Sequence, residues 1–82
     1  MIIGKVIGSV WSTRKADNLG GLKFMIVELN NKTSLVACDG VGAGVGDKVL
    51  ITCGSSARKL MDLEDAPVDA AIIGIIDEGE GE

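Results

Sequence analysis

The sequence predicts a mostly β domain, a small closed or partly closed barrel of five short strands with one short helix. Three observations carry that expectation. Apolar residues make up 46% of the 82-residue chain but aromatics only 2%, Trp11 and Phe24, so the core must be built from Ile, Val, Leu, Ala and Met. Twelve glycines and the single Pro67 suit a fold with many tight turns. Apolar runs of strand length then succeed one another with turn signals between them. The most glycine-rich segment, Asp39 to Arg58 (DGVGAGVGDKVLITCGSSAR), has glycine at every second position from Gly40 to Gly46. A backbone so rich in glycine must adopt positive φ or lie very close to something else.

In chain order, Met1 to Trp11 reads as a long first strand that bends, because Gly4 and Gly8 interrupt its alternation. Ser12 to Gly21 is polar and reads as a loop. Leu22 to Leu29 is a second strand, with Phe24 and Ile26 on one face and Met25, Val27 and Leu29 on the other. Asn30-Asn31 supplies a tight turn, asparagine tolerating the left-handed conformation. Ser34 to Cys38 returns as the third strand, and Lys48 to Cys53 comes after the glycine-rich loop as the fourth. Ser55 or Ser56 is placed to cap a short helix running to about Met61. Leu63 to Val68 reads as a loop containing Pro67, and Asp69 to Asp77 as the last strand. The barrel domain is thus residues 1–77, with Glu78 to Glu82 an acidic tail with little reason to be ordered.

The last strand is apolar on both sides. Ala71, Ile73 and Ile75 alternate with Ala70, Ile72 and Ile76, with no charge among them. A barrel has one interior, so the other face needs a cover, and in so short a chain a neighbouring subunit is the natural one. The alternation leaves open which face is inside. A charge at Ile72 breaks up an oligomer under one assignment and unfolds the monomer under the other.

Composition excludes several functions. The net charge is -4, and residues 42–82 hold nine acidic against three basic groups. An acidic chain with two rings lacks the basic groove and stacking surface that nucleic acid rewards. No run approaches the roughly 18 apolar residues of a membrane span, and no basic-then-apolar leader opens the sequence. A cytoplasmic protein is expected. Cys38 and Cys53, without any histidine, cannot complete a zinc site alone, and both fall in strand-like runs where a thiol acts as a small apolar side chain.

The glycine run also fails as a phosphate loop. It contains neither GxGxxG nor GxxxxGK[ST], and it leads into a strand rather than into a helix whose amino end would hold the anion. Catalysis lacks a nucleophile beside a base. Asp62, Glu64 and Asp65 stand near Arg58 and Lys59 in a polar loop and read as a solvated surface. Ser55, Ser56 and Arg58 could hold a small anion, although a capped helix whose arginine pairs with an acidic neighbour is the favoured account of them.

Three segments together, KVIGSVWSTRKADNLGGLKFMIVEL, DGVGAGVGDKVLITCGSSAR and PVDAAIIGIID, resemble in order and spacing the bacterial microcompartment vertex proteins of the EutN/CcmL type. The resemblance implies a five-stranded, OB-like barrel that forms a homo-pentamer. It implies a structural role without enzyme activity or cofactor, at the fivefold corners of a polyhedral shell in the bacterial cytoplasm. It implies hexameric shell proteins as partners, and neither nucleic acid nor membrane. Gly42, Ala43, Gly44 and Gly46 match the family's glycine signature, and Ser55, Ser56 and Arg58 the turn after it. These residues, with Ile72 and Ile76 of the last strand, are the candidates for subunit contact or for lining a narrow axial opening. The hairpin after Leu29 looks short beside those of carboxysome members, which leaves the compartment type open. The alternative is a solitary OB-like barrel that binds a small anion, an oligosaccharide or nucleic acid.

Overall fold

The computed structural model of the protein describes residues 1–10, 22–60 and 68–77. Five strands, β1 (Ile2–Ser9), β2 (Phe24–Leu29), β3 (Ser34–Asp39), β4 (Lys48–Cys53) and β5 (Ala70–Ile76), form one sheet, and a helix α1 (Ser55–Leu60) lies between β4 and β5. The sheet closes into a barrel in the order β1-β2-β3-β5-β4, with β4 pairing back onto β1. All pairings are antiparallel except β3 with β5, which runs parallel through Cys38–Ala71 and Asp39–Ile72. The expected mostly β barrel with five strands and one helix is therefore observed. The expected loops at 12–21 and 63–67, the strand end at Trp11 and the tail at 78–82 lie outside the described residues.

Alternation along each strand builds a single interior. Val6, Met25, Val27, Ala37, Val49, Ile51, Ala70 and Ile72 form one buried cluster, with Leu29 and Leu35 packed against it. Gly4 belongs to the same face: a Cβ there would run into Val27 Cγ1 and lie 3.0 Å from the Glu28 carbonyl oxygen. Only glycine lets β1 cross β2 so closely. The bend expected in the first strand comes just after Val6. The β1–β2 register shifts between Val6 and Gly8, so Ile7 is an extra, unpaired residue and is 48% exposed. A bulge of this kind bends the strand and increases its twist, which a small barrel needs at a corner.

Two local expectations change. In the β2–β3 hairpin the left-handed residue is Lys32, at φ 70°, not either asparagine. The loop, residues 30–33, is closed by Leu29 N–H donating to Thr33 O at 2.8 Å and Lys32 N–H to Leu29 O at 3.0 Å. In such longer hairpin loops the left-handed position comes after the first turn, while Asn31 uses its side chain to accept from the Thr33 amide at 3.2 Å. The helix start also differs. Ser55 and Ser56 are its first two residues, and Gly54, at φ 73°, precedes them with its carbonyl accepting from Ala57 N–H at 3.1 Å.

The outer face is covered in part by the chain itself. Cys38, Ala71 and Thr52 sit side by side across β3, β5 and β4, and each is nearly inaccessible. Val68, Leu22 and Phe24 gather around Cys38, and α1 packs against β5 and β4 with Ala57 fully buried. Farther along β5 the alternation breaks. Leu50 pairs with Gly74 but Ile51 with Ile72, so Ile73 is inserted and the two halves of the strand are out of phase. Ile72 opposes the buried Ile51, whereas Ile76 opposes the exposed Lys48. Directly opposed residues share a face, so Ile72 and Ile76, expected on one side, lie on opposite sides. Periodicity has no way to register a one-residue bulge.

Ile72 is fully buried in the barrel interior, so the substitution Ile72→Asp is expected to unfold the chain. A buried unpaired carboxylate added to a lost core side chain costs several kcal/mol, comparable with the whole stability of a small domain. Loss of the far-ultraviolet circular dichroism signal checks this, and Ile76→Asp on the outer side should leave that signal intact.

Candidate functional site

The glycine-rich loop joins the end of β3 to the start of β4, and one carboxylate shapes it. Asp39 Oδ1 accepts from the backbone N–H groups of Val41 and Gly42, both at 3.0 Å, and Oδ2 accepts from Ala43 N–H at 2.9 Å. Lys23 Nζ lies 3.3 Å from Oδ2 and donates to the Ala43 carbonyl at 2.9 Å. The Asp39 side chain is only 1% exposed. Burial alone would push its carboxyl up. The amides of Val41 and Ala43, the Lys23 ammonium and the Gly42 amide together outweigh burial and hold it below its ordinary value.

The rest of the loop is built on this anchor. With its amide held by Asp39, Ala43 turns its methyl group inward and joins the buried cluster at 1% exposure. Val41 and Val45 point away and are 44% and 68% exposed. Asp47 N–H then donates to the Gly44 carbonyl at 3.1 Å, with Gly46 between them at φ 96°. Positive φ at the third residue is the signature of a type II turn and explains that glycine. The Asp47 side chain closes the turn by accepting from Gly44 N–H at 2.8 Å. Two bonds stitch the loop to the corner of β1: Gly46 N–H to Val6 O at 2.8 Å and Val6 N–H to Asp47 O at 2.9 Å.

The structure brings Gly42, Ala43, Gly44 and Gly46 together in this loop, which is tied to Ile72 where the Ile72 carbonyl accepts from Gly40 N–H at 3.2 Å. Gly42 and Gly46 answer to positive φ. Gly44 does not, and among the described residues a Cβ on it would meet Asp47 Oδ2, at 3.9 Å. Nothing among the described residues requires glycine there. Ser55 and Ser56 are exposed at the start of α1 beyond the opposite end of β4, separate from the loop; the Arg58 side chain lies outside the described atoms. Asp39, Asp47 and Lys23 shape the loop, and the sequence pattern did not single them out. The signal for two of them was an aspartate on each side of the glycine run, a residue type that binds backbone amides two or three positions on.

Chemistry is sparse elsewhere. Among the described residues no group of three or more His, Cys, Asp and Glu is placed to hold a metal, and no helix is long and apolar enough to cross a membrane. Both thiols are free. Cys38 is buried, and burial, with the neighbouring Asp39 charge, pushes its thiol up. Cys53 is exposed at the end of β4 rather than part of an apolar layer.

A family model described as ethanolamine utilisation protein EutN/carboxysome matches residues 1–77. The carboxysome shell vertex protein CcmL of Synechococcus elongatus is 47% identical over 83 residues, spanning 94% of this chain and 84% of its own length. The structure of CcmL from Nostoc sp. PCC 7120 superposes with a TM-score of 0.87 at 44% identity, covering 94% of this chain and 89% of that one. The GrpN pentameric microcompartment shell protein from Rhodospirillum rubrum superposes with a TM-score of 0.79 at 41% identity, covering 94% of both chains.

Replacing Asp39 with Asn removes the charge and one acceptor oxygen, and is expected to cost about 2 kcal/mol, in the range of hydrogen bonds to a charged group. The folded carboxyl titrates below its unfolded value. Its contribution is therefore complete above about pH 4, the unfolded value, and is lost as pH falls through the lowered folded value. Denaturant unfolding of both proteins should show the full gap at neutral pH and a shrinking one as the pH drops through the acid range.

Proposed function

The chain belongs to the EutN/CcmL family, and we propose that it is a structural shell protein whose pentamers occupy the fivefold vertices of a bacterial microcompartment in the cytoplasm. The observation that carries this reading is likeness along almost the whole chain, 94% of it, to proteins named as shell vertex and pentameric shell proteins. The chain also spans 93% of the GrpN relative.

Physical logic supports the same role. Hexagonal tiles make a flat sheet, and a sheet closes into a polyhedron only where fivefold units interrupt it. The partners on the flanks of the pentamer are then hexameric shell proteins. A unit of this kind needs surfaces for its neighbours and no active site, so the chain works without catalysis and without a cofactor. Its net charge of -4 and its two aromatic residues suit protein neighbours better than nucleic acid.

The surface for a neighbouring copy is the glycine loop together with the outer side of β5. Val41 and Val45 hold apolar side chains in the open, and Gly44 keeps the backbone between them bare without any need among the described residues. A backbone thinned in this way fits the close approach of another subunit. Ile76 extends the apolar surface on the outer face. Ser55, Ser56 and Arg58, at the other end of β4, are the residues proposed to border the axial opening.

Native mass spectrometry tests the assembly: the expected species is five copies of the 8.4 kDa chain, and a monomer at micromolar concentration would overturn the vertex reading. The substitution Gly44→Leu separates the contact from the fold. It should shift the mass to smaller species while leaving the circular dichroism spectrum unchanged. A pentamer that persists in this variant places the subunit contact elsewhere and leaves the vertex reading standing.

A further inference from the structure

A ring of five closes only when its contacts run head to tail, with a patch on one copy meeting a different patch on the next. A patch that meets its own twin stops at two copies. The surface assigned above to a neighbouring copy, the glycine loop with the outer side of β5, is therefore one half of the contact. The chain must present a second, different half. Every copy in a closed ring engages both neighbours at once, so the second half lies on another side of the barrel.

The strand register locates it. One outward row runs Lys48, Lys5, Glu28 and Ser34 through β4, β1, β2 and β3, and its charges do not suit the centre of a protein contact. Another outward pair, Phe24 with Cys38, is covered by the chain's own Leu22 and Val68. Between the two lies a row made of Gly8, Ile26 and Val36, paired in that order across β1, β2 and β3. It holds no charge, Val36 is 50% exposed, and the bulged, exposed Ile7 stands at its edge. A Cβ on Gly8 would meet Ile26 Cδ1 at 3.7 Å among the described residues, an ordinary contact that does not demand glycine. In the closed order β2 is separated from β5 by β3 on one side and by β1 and β4 on the other. The exposed Ile3, in contrast, pairs with Leu50, and Leu50 with Gly74 of β5, so it continues the first surface.

We infer that the strip formed by Gly8, Ile26 and Val36 is the second half, and that it receives the glycine loop of the adjacent copy. The inference rests on the vertex reading and supplies the surface that reading lacks. The relief of the two halves is matched. In the loop the exposed Val45 projects beside bare backbone at Gly44, and in the strip Val36 projects from the row that is bare at Gly8. A valine of one copy set against the bare backbone of the other lets two surfaces of short side chains reach the packing density of a contact core. Val41, Gly44 and Val45 are as free of charge as the strip, so no ion loses its water when they meet.

Thiol cross-linking tests the pairing. The full chain carries Cys53→Ser, which removes the exposed thiol, while Cys38 is buried. Val36→Cys and Val45→Cys are then combined in that chain and treated with a short bis-maleimide. Denaturing electrophoresis should show a ladder that ends at five copies, because every chain offers one thiol to each neighbour. Either substitution alone should leave single chains, and the two single variants refolded together should give linked pairs and nothing longer. A pentamer in native mass spectrometry that yields no ladder overturns the inference and leaves the vertex reading standing, whereas a monomer overturns both. Linked pairs from one single variant mean that like meets like, and they overturn it as well. Val36→Asp gives an independent measurement: the pentamer should be lost with the circular dichroism signal intact, and a pentamer that persists overturns the inference.

Discussion

The Asp39 carboxylate is the interaction on which the rest of the architecture depends. A loop leaving a barrel strand carries backbone donors that no ladder can satisfy, and three of them, from Val41, Gly42 and Ala43, converge on this one side chain. The carboxylate is almost wholly withdrawn from water, which is tolerable only because each oxygen is met by amides and the Lys23 ammonium shares the site. The same contact does three things at once. It places the Ala43 methyl group in the core, it turns Val41 and Val45 outward, and it holds the loop where Gly40 can bond to Ile72 beside the parallel β3–β5 closure.

A second constraint comes from the core itself. Among the described residues the interior cluster is made of Val, Ile, Ala and Met, so each strand contributes little apolar area. Domains of this size sit near the limit of what one core can stabilise. The chain recovers part of the deficit with a second small layer, where Cys38, Val68, Leu22 and Phe24 collect on the outer face and α1 closes over the end of β4 and β5. The surface left uncovered is apolar as well: Ile3, Ile7, Val36, Val41 and Val45 are each at least 44% exposed. A surface of that character is stable in water when copies of the chain cover it for one another.

Much of this was legible in the residues. Strand alternation located β4 at Lys48–Cys53, and it separated Met25 and Val27, which face the core, from Phe24 and Ile26, which do not. The features that escaped are one residue long. The bulge at Ile73 reverses the phase of β5, so that Ile72 faces the core while Ile76 faces out, and a period of two contains no trace of it. The hairpin put its positive φ on Lys32 because loop length, not residue type, chose the position. The glycines were correctly read as a demand for unusual backbone, but the sequence could not divide them. Gly4 needs room for Val27, Gly42 and Gly46 need positive φ, and Gly44 needs neither among the described residues. Asp39 escaped because an aspartate before a glycine run is common in turns, and its value here lies in burial, which only the closed barrel creates.

That division of the glycines bears on how one barrel architecture serves such different ends. Five-stranded barrels of this kind bind oligonucleotides or oligosaccharides when their strand faces and loops present basic groups and rings. This chain has the frame without those groups, and an architecture alone does not assign a function. Its surface resources are of another kind: short aliphatic side chains, a loop thinned to bare backbone at Gly44, and a carboxylate anchor that ties the loop's amides down. Ordering a flexible loop at an interface costs conformational entropy at every contact formed. Repeated five times around a ring, that cost would multiply, and a loop already held by its own carboxylate avoids it. The buried aspartate and the thinned glycine loop are therefore two halves of one requirement: a surface that is rigid before its neighbour arrives and bare enough to let the neighbour come close.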